Sequence, residues 1–283
     1  MSAPTVGLEW QAVSTSEGAA SDIRSVDVLE ADAERRFGGL RRLYGNVAYE
    51  RIRAARIAIV GLGGVGSWAA EALARSGVAA LTLIDLDNVS ESNINRQVQA
   101  TSNTVGQAKV LALKERIALI HPDCVVTMVE DFVDETNWPS LLAHEVDALV
   151  DACDQVKAKA TLAAWAIATH TPFVSCGAAG GKRRPQAVEV DDLSVTTHDP
   201  LLATLRQRLR QKHAGARKGP MGVRCVFSRE AVVEPEAAEG EACEVVDGSL
   251  NCHGYGSSVA VTSTFGMTCA AEALDSIIRR KRA

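Results

Sequence analysis

The residues best placed to do chemistry begin in IAIVGLGGVGSW (57–68). There Gly61, Gly63 and Gly66 fall at the spacing G-x-G-x-x-G between a β-branched run and an apolar repeat at helical spacing, Ala69, Ala70, Leu73 and Ala74. Missing side chains at such a turn allow a tight bend and let a phosphate approach the helix N-terminus. Asp85 ends the next apolar run, where a carboxylate is placed to take a ribose hydroxyl. Taken alone, this pattern suits a nicotinamide cofactor or a turn that binds nothing.

The following stretch argues against hydride transfer. Asp85 and Asp87 lead into a polar loop, 90–97, that carries Asn93, Asn95 and Arg96. An arginine between two amides suits a triphosphate, whose charge must be neutralised as a bond to phosphorus breaks. Further on, VGQAK places Lys109 in the first turn of a helix, which opposes the helix dipole unless an anion sits nearby. Each cation alone reads as a solvated surface charge; together, after a glycine turn, they favour ATP over NAD. A third element is Asp154, between an apolar strand at 148–150 and an apolar helix at 160–167. It can hold Mg²⁺ against phosphates as an oxygen ligand, or cap the helix.

These residues need a scaffold, and the alternation of apolar runs supplies one. Strands are expected at 57–60, 81–84, 124–130, 148–150 and 172–176, with helices between them, which predicts an α/β, Rossmann-like, doubly wound and mainly parallel sheet. Gly177, Gly180 and Gly181 follow the fifth strand, where backbone can approach a ligand. An appended C-terminal α/β portion follows: a helix at 201–212, an acidic loop at 234–243 expected to be mobile, and strand then helix over 259–278, with Cys269, Ala270, Ala273, Leu274 and Ile277 as its buried stripe.

GLGGVGSW, LIDLDNVSESNINRQ, VGQAKV and DACDQ resemble the ATP-adenylating superfamily that includes ubiquitin-activating enzymes, ThiF and MoeB. RFGGLRRLYG, SCGAAGG, DPLLATLRQRLR, GVRCVFSRE and VTSTFGMTCAAEAL resemble one branch, the tRNA threonylcarbamoyladenosine dehydratases. The resemblance implies ATP-dependent removal of water from a threonylcarbamoyl group on adenosine in tRNA, giving a cyclic form. It implies Gly61, Gly63 and Gly64 against the nucleotide, Asp85 on the ribose, Asp87 among the cofactor-binding residues, and Asn93, Asn95, Arg96 and Lys109 around the phosphates. Asp154 would organise Mg²⁺, and Arg96, Lys109 and Asp154 would be catalytic. It further implies a homodimer in which Arg36 or Arg42 reaches the partner's ATP site, and leaves room for a monovalent cation and for a cysteine desulfurase or sulfur-acceptor partner. Residues 34–283 would form the adenylating domain, with 182–283 serving tRNA binding and dimerisation, behind a disordered segment 1–33.

The seven cysteines include no C-x-x-C pair, which some carrier-activating relatives use for zinc. Cys153, Cys176, Cys225 and Cys269 lie in apolar patterns and read as small core residues. Cys252, in LNCHGYGSS beside His253, is a catalytic candidate as a thiolate able to accept sulfur or an acyl group; an inert loop cysteine fits equally. The role of Cys243 stays open.

The net charge of −5 does not announce nucleic-acid binding. Arg206, Arg208, Arg210, Lys212, Arg217 and Lys218, with Lys182, Arg183 and Arg184, nevertheless make local basic segments compatible with tRNA. No signal-peptide core, disulfide pattern or membrane span is seen, so the cytosol is expected. Two rival functions remain: adenylation of a ubiquitin-like sulfur carrier, which shares the ATP site, and an NAD oxidoreductase, which leaves Asn95, Arg96 and Lys109 without a purpose.

Overall fold

A computed structural model describes residues 32–233 and 255–280. Asp32 opens the described chain by capping α1 (Ala33–Tyr44) with its carboxylate, and α2 (Asn46–Ala54) follows across Gly45. Next come β1 (Arg56–Val60), α3 (Gly66–Arg75) and β2 (Ala80–Ile84), then α4 (Lys109–Ile120) and β3 (Val125–Val129). The second half adds β4 (Ala148–Asp151), α5 (Val156–Thr169), β5 (Phe173–Cys176), β6 (Val188–Asp192), α6 (Pro200–Lys212), β7 (Arg224–Ser228) and α7 (Val259–Arg279).

The strand order is β3-β2-β1-β4-β5-β7-β6. All neighbours pair in parallel except β6 with β7. The expected doubly wound α/β sheet is therefore present, and the C-terminal portion extends that sheet. Both faces are covered, which explains why the central strands read as unbroken apolar runs. Period-2 alternation divides them: Ile57 and Ile59 face a core shared with α3, α4 and α7, while Ala58 and Val60 face one shared with α5 and α6.

One expectation is corrected. The β-branched residues after position 258 suggested a strand, yet α7 is helical throughout its 21 residues. Its predicted stripe is buried, and Val261 and Phe265 extend that stripe by a further turn and more. Tertiary packing against α3 and the sheet overrides a local preference worth a few tenths of a kcal/mol per residue. Gly266 permits this packing, because a Cβ there would stand 2.7 Å from Trp68 Cβ. Among the described residues, no helix is long and apolar enough to cross a membrane.

Candidate functional site

Between β1 and β4 the direction of strand addition reverses, and at that switch point a parallel sheet leaves a crevice beyond its strand ends. Here the crevice is a cavity of about 780 Å³. The chain leaves β1 through Gly61 at φ +84°, where a Cβ would lie 2.8 Å from the Ala152 carbonyl. Only glycine fits both constraints. Gly63 has nothing within 4 Å of a Cβ position, and a Cβ on Gly64 would meet Thr262 Cγ2 at 3.0 Å and Arg96 Cγ at 3.4 Å. All three glycines line the cavity.

Asp85 follows β2 and accepts hydrogen bonds from Leu62 N at 2.5 Å and Asp87 N at 2.9 Å. Burial pushes its carboxyl above the usual range, opposed by the nearby Lys109 charge and these two N–H donors. Lys109 begins α4, and its ammonium lies 2.6 Å from Asp87 and 3.6 Å from Asp85. Those carboxylates account for a cation at a helix N-terminus.

Arg96 lines the same cavity. Its Nη1 donates to Ser92 O at 2.7 Å and Asn95 Oδ1 at 2.9 Å, while its buried Nε has no partner. Asn93 also lines the cavity, and its Oδ1 accepts from Ser90 N, closing a short turn. Asn95 does not line it. Its amide donates to Ser257 O and accepts from Arg96, so the direct phosphate contact expected of it is replaced by a brace between two cavity walls.

Asp154 stands in the cavity wall between β4 and α5. Capping does not explain it, since the cap position of α5 is Gln155 and no side chain bonds there. Cys153 is also in this loop, which corrects its assignment to an apolar strand or helix; its thiol donates to Asp151 Oδ1 at 2.9 Å. Burial first, and the Asp151 charge second, hold that thiol well above the usual range. Cys176, Cys225 and Cys269 are buried as expected. Cys243, Cys252 and the acidic loop at 234–243 lie outside the described residues, as do residues 1–31.

Other expectations change. Gly177 and Gly181 make room for Asp199 and Val232 respectively, packing within the chain, although Gly177 and Gly180 do reach the cavity wall. Lys182 is buried and donates to the carbonyls of His198, Ser228 and Glu230, so it offers nothing to RNA. Arg206 is spent on Leu193 and Thr196, and Arg208 on Glu135. The exposed cations left in these segments are Arg183, Arg184, Lys212, Arg217 and Lys218. Both Arg36 and Arg42 are exposed; Arg36 donates to Ile120 O at the end of α4.

The family model described as the ThiF family matches residues 37–283. The chain belongs to the ThiF family. Within that family it is 42% identical over 264 residues to a tRNA threonylcarbamoyladenosine dehydratase of Escherichia coli, covering 90% of this chain and 98% of the relative. A protein of the same name from Haemophilus influenzae is 39% identical over 88% of this chain and 95% of its own. The crystal structure of the E. coli dehydratase with ATP superposes with a TM-score of 0.78, covering 88% of this chain and 97% of that one. Another ThiF-like relative, the molybdopterin-synthase adenylyltransferase of E. coli, is 40% identical but over 44% of this chain and 50% of its own.

The cavity fits a nucleoside triphosphate on its own evidence. Gly63 leaves an open cradle, Arg96 Nε is a buried donor awaiting an acceptor, and Leu86 and Phe132 offer half-exposed apolar surface at its edge. Among the described residues its wall carries four carboxylates, Asp85, Asp87, Asp131 and Asp154, against two cations, Arg96 and Lys109. A triphosphate would be repelled by that balance unless a divalent cation came with it. Mg²⁺ typically takes one or two carboxylates plus phosphate oxygens, and Asp154 in the wall would supply one. Sequence reasoning missed Gln97, Phe132, Tyr255, Ser257 and Thr262 in the wall. Gln97, adjoining Arg96, was within reach of the motif; the others come from elements remote in sequence.

Proposed function

We propose that this chain catalyses ATP-dependent dehydration of threonylcarbamoyladenosine in tRNA to its cyclic form. The observation that carries this reading is the 42% identity spanning 98% of the E. coli dehydratase, with a cavity suited to a triphosphate at the sheet's switch point. A carboxylate oxygen of the substrate attacks the α-phosphorus of ATP, and the bond to pyrophosphate breaks. A nitrogen or oxygen of the same substrate then attacks the activated carbonyl carbon and AMP leaves, carrying one substrate oxygen. The product is lighter by one water.

The chain's own contribution is positioning and charge. Arg96 and Lys109 face the phosphates, so the anionic carboxylate meets a screened phosphorus. Asp85 takes the ribose, with Asp87 beside it, Asn93 lends its free amide N–H₂, and adenine lies toward Leu86 and Phe132. Asp154 holds Mg²⁺, which supplies further neutralisation at the phosphates. The carboxylate is already ionised at neutral pH, so no strong base is required. This intramolecular closure requires no protein thiol, sulfur partner or monovalent cation.

We assign the exposed Arg42 to a homodimer contact, supported by its neighbours Leu43 and Val47, each 71% exposed. Exposed large apolar residues beside a cation suit a partner surface. The five exposed cations of the C-terminal portion are assigned to the tRNA backbone, and the cytosol to its location. Carrier-protein adenylation is disfavoured because the adenylyltransferase match spans 44% of this chain. Pyrophosphate release driven by tRNA, and not by a small Gly-Gly-ending protein, tests the choice.

A further inference from the structure

The Arg96 carbonyl is held from two helices. Trp68 Nε1, in α3, donates to it at 3.0 Å, and the Thr262 hydroxyl, in α7, stands 3.4 Å from the same oxygen. Trp68 itself is absent from the cavity wall, whereas Arg96 and Thr262 are in it. An indole N–H is a donor only, so this bond has one direction and one partner. It also fixes a residue that lies in an irregular stretch of chain with no ladder to hold it. Below the carbonyl, Gly266 brings α7 close enough to α3 for Thr262 to arrive, since a Cβ there would collide with Val65 and Trp68.

We infer that Trp68 is a positioning residue for the adenylation step, acting through Arg96. With its carbonyl pinned by Trp68 and its Nη1 tied to Ser92 and Asn95, the Arg96 side chain keeps one orientation in the cavity, leaving its buried Nε and its Nη2 as unspent donors. An arginine otherwise loses considerable rotamer freedom when it is ordered at the moment of reaction. Placing that cost in the folded state leaves the donor aimed before substrate arrives. The α3–α7 contact thereby links the C-terminal helix to the phosphate site. This inference rests on the proposed role of Arg96 in adenylation.

The test is a double-mutant cycle read in kcat for tRNA-dependent pyrophosphate release. Its variants are Trp68→Phe, Arg96→Ala and the combination, each also measured for thermal stability. Phenylalanine keeps an aromatic ring in place and removes the N–H. The expected result is that Trp68→Phe lowers kcat about five- to tenfold with Arg96 present, the scale of one lost hydrogen bond. With Arg96→Ala already made, it changes kcat less than about twofold, while its effect on melting temperature is the same in both backgrounds. An unchanged kcat for Trp68→Phe, or an equal loss in both backgrounds, overturns the positioning role while leaving the function standing. Wild-type kcat for Arg96→Ala overturns the role of Arg96, and the inference with it.

Discussion

Lys159 and Asp151 form an ion pair at 3.0 Å in which neither side chain has any solvent exposure. The ammonium also donates to Ser175 Oγ at 3.2 Å and Cys176 O at 2.8 Å, spending its three protons on the ends of β4 and β5. Burial favours the neutral amine, but the Asp151 charge outweighs it and keeps the Lys159 pKa raised. The pair lies beneath the loop that carries Cys153 and Asp154. Replacing Lys159 with Met strands a buried carboxylate and is expected to cost about 3–5 kcal/mol in urea unfolding. Combining it with Asp151→Leu should return much of that loss. A Lys159→Met protein of wild-type stability would contradict the account.

Arg96→Ala is expected to lower kcat for adenylation by about 10²–10³, the usual cost of one charge-stabilising donor. Binding of tRNA should change little. Filter-binding and pyrophosphate-release assays separate the two; a large loss of tRNA affinity with normal chemistry would move Arg96 to the RNA surface.

Asp154→Ala should abolish Mg²⁺-dependent activity and leave the melting temperature near that of the wild type. The reason is that Asp154 neither caps α5 nor makes a side-chain hydrogen bond among the described residues. Asp154 is half-buried at the cavity surface, and surface substitutions away from such features shift stability by about 0.5 kcal/mol or less. A fall in melting temperature with an unaltered Mg²⁺ titration would return Asp154 to a structural role.

His121 makes stability depend on pH. Its ring packs edge-on against Phe37, 4.7 Å between centroids, and Nε2 lies 3.0 Å from Arg53 Nη1, so the neutral form accepts there. Burial first, then the Arg53 charge, lower its pKa, with Asp123 opposing and Arg36 assisting. The unfolded imidazole takes a proton near pH ~6.5, before the folded one does. Stability from this group is therefore complete above that pH and declines as pH falls toward the folded value. Wild-type melting temperature should drop more between pH 7 and 5 than that of His121→Gln; identical slopes would refute this.

The sheet and the residues around the cavity were legible because their signals are local. Gly61, Gly63, Asp85, Arg96 and Lys109 all lie within one βαβ unit and the loop and helix start that follow, and the structure gathers them around one cavity, with Gly66 packed against the Gly61 carbonyl beneath the turn. What sequence could not show was how long-range contacts spend polar groups. Lys182 looks basic in GGKRRP, yet three carbonyls claim it. Asn95 looks like a phosphate ligand, yet Ser257, far along the chain, takes its amide. Nothing in the sequence around Lys159 marks it as fully buried, which it is. In α7, β-branched residues at 259, 261 and 262 suggested a strand until packing against α3 decided otherwise.

The central claim is tested most directly by mass spectrometry of nucleosides from tRNA bearing threonylcarbamoyladenosine, incubated with this protein and Mg²⁺, with and without ATP, and hydrolysed mildly. The account predicts loss of one water from that nucleoside only when ATP is present. An unchanged nucleoside under conditions where the protein binds ATP would contradict it and point to a protein carboxylate as the substrate.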